Sequence, residues 1–134
     1  MAKYMLLCKY DDDLGVGPMA TWDPADMHAH LDYLRKLNQD LIDNGELVEV
    51  QALTGPDMVK VVTAGGPAGQ VITDGPYTEV KEVLAGYQMV DVESEERAVE
   101  IAALVSAAPG PRGVPLRQRI EVRQVMVAMP SDDL

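Results

Sequence analysis

Apolar and polar residues fall in blocks that read as strands and helices in turn. Residues 3–10, KYMLLCKY, form a short apolar run tipped by tyrosines, the pattern of a first strand. A loop carrying Gly15, Gly17 and Pro18 follows. Asp23-Pro24 then opens a helix. The Asp side chain caps free N–H groups, and proline at the first helical position gives up no hydrogen bond. Asp26 adds favourable negative charge to the first turn, and Gly45 after Asn44 stops the helix. At about 100° per residue, Met27, His30, Leu31, Leu34, Leu37 and Leu41 share one face. Asp32, Arg35, Lys36, Gln39 and Asp43 share the other, and His28 lies with them in solvent.

The remainder alternates in the same way. Residues 46–53 predict a second strand, ended by Gly55-Pro56. Residues 59–63 and 70–73 flank AGGPAG and predict a hairpin. Residues 86–92 predict another strand, with Gly86 suited to the close approach of a neighbouring chain. Ser94 caps a second helix whose stripe is Ala98, Ile101, Ala102 and Val105, and which ends before Pro109-Gly110-Pro111. Over residues 117–127, Ile120 and Val122 alternate with Arg119, Glu121 and Arg123, the mark of a strand with one wet face.

The order β-α-β, a hairpin's worth of extra strand, then β-α-β is that of a ferredoxin-like α+β sandwich, both helices covering one face of an antiparallel sheet. The opposite face has no third layer to cover it in 134 residues. Pairing with a second copy is the simplest cover, and it encloses a cavity. The expectation is a single domain over residues 1–129, a loose tail over 130–134, and a homodimer.

Charge narrows the partners. With 22 acidic and 11 basic residues the net charge is −11, a surface that repels phosphate backbones and anionic headgroups. Nucleic acid and membrane are therefore poor partners. The apolar start is too short for a secretory leader and runs into Asp11-Asp12-Asp13, and no stretch approaches the roughly 18 apolar residues of a spanning helix. A cytoplasmic location follows as an expectation. Cys8, the sole cysteine, lies in an apolar run and reads as a buried thiol.

The stretch ITDGPYTEVKEVLAGYQ, residues 72–88, is longer than a hairpin needs and keeps Glu79, Lys81 and Glu82 in the gap. With TDGPYTEVKEVLAGYQMVDVES, the alanine-rich helix after it, the Pro-Gly linker and IEVRQVM, the chain resembles the YCII-related family, in particular its DGPF-motif branch. The likeness runs from the first strand to Met126, with Tyr77 in place of the motif's phenylalanine. It implies a ferredoxin-like domain that pairs as a dimeric α/β barrel. Branches of the group include dehalogenase-like and muconolactone-isomerase-like enzymes, and DGPF genes often neighbour those of extracytoplasmic-function sigma factors. Shorter relatives carry an Ala-His-Leu step, matched by Ala29-His30-Leu31, whose histidine is a proposed active-site residue teamed with an aspartate. An Asp-Pro step after the second helix is common among them. Here that place reads Ala108-Pro109.

The candidate chemistry rests on few groups. His30, near a helix N-terminus on the apolar face, suits a neutral imidazole able to accept a proton. The competing reading is a packed core histidine. Asp74 makes the Asp-Gly-Pro turn and stands as His30's catalytic partner if its loop folds back. Tyr77, Glu79, Lys81 and Tyr87 are the substrate-binding candidates, and a solvated rim and interface aromatics are their plainer roles. Arg117, Arg119 and Arg123 form a basic stripe that could hold an anionic ligand or pair with the acidic helices, and pairing is the expectation. No metal site is expected, since His28 and His30 point to opposite helix faces and Asp11-Asp12-Asp13 lacks the EF-hand glycine and glutamate. No cofactor is expected either: no Walker loop, dinucleotide fingerprint or nucleophile elbow occurs. Two functions remain. One is a proton-transfer enzyme of the isomerase, lyase or dehalogenase kind acting on a small organic molecule. The other is a non-catalytic binding or regulatory module linked to stress response and sigma-factor signalling.

Overall fold

Along β5, Leu84–Val92, every second residue is buried: Gly86, Gln88, Val90 and Val92 face one way, while Tyr87, Met89 and Asp91 face the other. That alternation gives the sheet one helix-covered face. The computed structural model describes residues 1–10, 14–66, 69, 71–74 and 83–126, with residues 72–74 as backbone. β1 (Ala2–Lys9) pairs antiparallel with β5 and with β6 (Ile120–Gln124), and β2 (Leu47–Ala52) pairs antiparallel with β5. The strand order is β2-β5-β1-β6, with α1 (Pro24–Asp43) and α2 (Glu95–Ser106) as the crossovers. This is the expected ferredoxin-like α+β arrangement of a four-stranded antiparallel sheet and two helices. The hairpin of β3 (Lys60–Thr63) and β4 (Val71–Asp74) forms its own two-stranded sheet.

The helix boundaries are chemical. Asp23 accepts from the Ala25 N–H at the start of α1, and Pro24 occupies the first position. Ser94 accepts from the Arg97 N–H at the start of α2. Tyr4 and Leu6 of β1, Leu41 of α1, Val90 and Val92 of β5, and Ala98, Ile101 and Ala102 of α2 form the core. Within that layer Gln88 donates to Asn38 of α1, so the one buried amide of β5 is satisfied. Arg97 clamps Glu46 with two 2.9 Å bonds, tying the α1–β2 turn to α2. Gly86 meets the expected close approach: a Cβ there would stand 2.7 Å from the Gln51 carbonyl oxygen.

Three expectations need correction. β5 starts at Leu84, because Tyr10 N–H donates to Val83 and brings the chain into register two residues early. β6 is shorter than residues 117–127, because the Leu116 and Arg117 N–H groups turn back to the Ala108 and Ser106 carbonyls, with Arg117 at φ 58°. The arginine stripe does not pair with the helices. Among the described residues none of Arg117, Arg119 and Arg123 makes a salt bridge, while Lys9 takes Glu121 at 2.8 Å.

Candidate functional site

His30 is buried at 8% exposure in the second turn of α1, and the residues around it come from three elements. Its apolar-face position turns the ring inward, whereas His28 is exposed, as the helical wheel requires. Trp22 meets the imidazole edge-on, with ring centroids 5.5 Å apart at 89°. The indole is held in turn, donating from Nε1 to the carbonyls of Val16 at 3.1 Å and Gly17 at 3.3 Å.

The third element is the segment after α2. The Pro109 carbonyl oxygen lies 3.0 Å from His30 Nδ1. A carbonyl only accepts, so Nδ1 carries the proton and the neutral ring keeps Nε2 as an unprotonated base. Pro109 is positioned by a tight reversal. Leu116 N–H donates to Ala108 at 3.0 Å, Gly110 N–H donates to Val114 at 2.7 Å, and Pro109 bridges to Pro115. A Cβ at position 110 would come within 2.6 Å of Leu116 Cδ2, so that side chain packs closely over Gly110. Among the described residues no carboxylate bonds to His30. Ala108, at the place of the Asp-Pro step, is fully buried and has no side-chain acceptor to offer.

The other candidates do not gather at this point. Asp74 closes β4 with its backbone opposite Lys60, and its side chain lies outside the described residues, as do Tyr77, Glu79, Lys81 and Glu82. Tyr87 alternates with Gly86 and Gln88, so it occupies the sheet face away from the helices. Partial burial and then the neighbouring Glu49 carboxylate raise its phenol above the ordinary range. Within one chain, His30 and Tyr87 are therefore on opposite sides of the sheet. Burial likewise raises the Cys8 thiol. Among the described residues no group of three His, Cys, Asp or Glu side chains is placed to hold a metal ion, and no helix is long and apolar enough to cross a membrane.

Two contributors escaped the sequence reading, Trp22 and the Pro109 carbonyl. Trp22 had a local signal, since an apolar residue just before an N-cap commonly packs back on the helix. The carbonyl had none, because a backbone oxygen has no letter of its own. The model of the YCII-related domain matches residues 2–110, most of the chain. The chain belongs to the YCII-related family. The match takes in His30 and both of its contacts, and it stops short of β6. No curated protein matches the chain.

Proposed function

We propose that this YCII-related protein, of the DGPF branch, is a cytoplasmic homodimer that pairs as a dimeric α/β barrel, binds a small organic molecule and uses His30 to move a proton. The contact between His30 Nδ1 and the Pro109 carbonyl carries the reading, because it leaves Nε2 as the basic nitrogen of the neutral ring. Trp22 restricts ring rotation and makes one side of the site apolar. Asp74 is the proposed second carboxylate, with Tyr77, Glu79 and Lys81 contributing to the ligand's surroundings beside His30, while Tyr87, on the opposite sheet face, belongs to the surface that meets the second copy.

The sheet face on which neither helix packs supports the pairing. Met5 and Leu7 of β1 and Met89 of β5 point away from the helices beside Tyr87. Their burial against a second copy removes apolar surface from water and brings the two open faces together, leaving the His30 site on the helix side of each sheet. Native mass spectrometry tests the reading, with dimer mass and a co-purified small molecule as the expected result. With that compound in hand, His30→Gln and Asp74→Asn should lower its turnover at least a hundredfold in folded protein. A stable monomer, or unchanged turnover, overturns the proposal.

One observation favours a second reading, a ligand-binding regulatory module. Ala108 offers no carboxylate to His30, so the ring is oriented without a charged partner. Tight binding of the co-purified compound, with no turnover in the parent protein, would select that reading.

A further inference from the structure

β6 is an edge strand bonded to β1 on one side, and the direction of its other groups is determined by register. Val125 N–H donates to the Lys3 carbonyl at 2.8 Å. In the same register Met5 faces Arg123 and Leu7 faces Glu121, so these are the hydrogen-bonded pairs. Ile120, Val122 and Gln124 must then direct their N–H and C=O groups outward, with no strand beyond them among the described residues. Two of the usual protections of an edge are missing. β6 has no proline and no bulge, whereas the opposite edge strand, β2, is broken by a register shift between Leu47 and Glu49.

Above this edge lies an apolar groove of 260 Å³ between α2 and β6, lined by Val99, Ala102 and Ala103 from the helix and Ile120 and Val122 from the strand. Val99 is 52% exposed beside it. Small residues on the helix let another backbone or helix approach closely, and the groove continues the surface that an added strand would extend.

We propose that β6 docks on β6 of a second copy, antiparallel about a two-fold axis at Val122. Charge selects that register. With Val122 opposite its own copy, the outward residues meet each other, Ile120 against Gln124, and form complete hydrogen-bonded pairs. Glu121 then stands opposite Arg123 of the other copy, twice by symmetry. A slip of two residues one way sets Glu121 against Glu121 and Arg119 against Arg123. A slip the other way sets Arg123 against Arg123. Both slips oppose like charges, so the alternation of sign specifies one alignment. Among the described residues Arg123 makes no salt bridge, and it is exposed on the strand's wet face. In the same alignment α2 meets α2 across the axis, covering the groove and Val99.

This edge is separate from the open sheet face, since Met5 and Leu7 project out of the sheet while the β6 groups lie in its plane. It also lies outside residues 2–110, which the family model matches. Native mass alone does not separate an edge pair from a face pair. Crosslinking does. In a Cys8→Ser background, the full chain bearing Glu121→Cys and Arg123→Cys is left to oxidise in air and run on a non-reducing gel. The two Cα atoms are then about 4.5 Å apart across the axis, within disulfide reach. The double variant should give a covalent dimer, and neither single variant should. A folded double variant that stays monomeric on the gel overturns the proposal, as does equal crosslinking by Glu121→Cys alone, which marks a slipped register. Should the cysteine chain not fold, Arg123→Glu should weaken edge association about tenfold and Glu121→Arg with Arg123→Glu should restore it. Equal association of all three forms overturns it too.

Discussion

The Pro109 carbonyl oxygen stands 3.0 Å from His30 Nδ1, although the two residues are 79 positions apart in the chain. The segment after α2 thus brings a backbone acceptor to the histidine, and Ala108 beside it has no side-chain acceptor. A neutral carbonyl orients an imidazole as a carboxylate does, without stabilising a positive charge on the ring to the same degree.

The tautomer is therefore determined, and long-range proton–nitrogen NMR reads it directly. Neutral His30 should show a protonated Nδ1 and a bare Nε2, while exposed His28 has no such constraint. A protonated Nε2 in the neutral ring would mean that the Pro109 contact does not hold in solution.

The Glu46–Arg97 clamp makes an acid-sensitive tie. The Arg97 hydrogen bonds hold the Glu46 carboxyl below its usual range, and the Glu46 side chain is only 14% exposed. A carboxyl depressed in the folded state contributes stability that is fully present above its unfolded value, near 4.3, and is lost as pH falls through the folded value. Glu46→Gln should cost about 1–2 kcal/mol at pH 7 in urea unfolding, and the difference from the parent should vanish at low pH. A penalty that does not change with pH would assign the effect to packing instead of charge.

Gly86 is where β5 pairs with Ala52 of β2. A methyl group there meets the Gln51 carbonyl oxygen at 2.7 Å and the Ala52 Cα at 3.4 Å, and backbone atoms cannot rotate aside. Gly86→Ala should destabilise by about 1–3 kcal/mol through separation of β2 from the sheet, seen as faster amide exchange in residues 47–52. Parent-like stability would show that β2 yields at no cost.

Much of the fold was legible because its signals are local. The Asp23-Pro24 start, the Ser94 cap and the alternation in β5 and β6 each lie within a few residues, and each took the conformation it predicts. Strand ends were less legible. Arg117 belonged to the strand by pattern, yet its N–H is taken by Ser106, so a hydrogen bond to a residue eleven positions earlier ended the alternation. The arginine stripe failed as a pairing prediction for a similar reason. Arg123 lies on the sheet face opposite the helices it was expected to meet, and Arg119 precedes the strand.

By itself the sequence determined that His30 turns inward, since helical periodicity assigns a face without reference to anything beyond the helix. Only the tertiary structure decided what the imidazole meets there. Its partners are a tryptophan edge and a main-chain oxygen delivered by the reversal after α2. Side-chain type sets local preference, but the aim of a carbonyl depends on where the whole backbone has been carried.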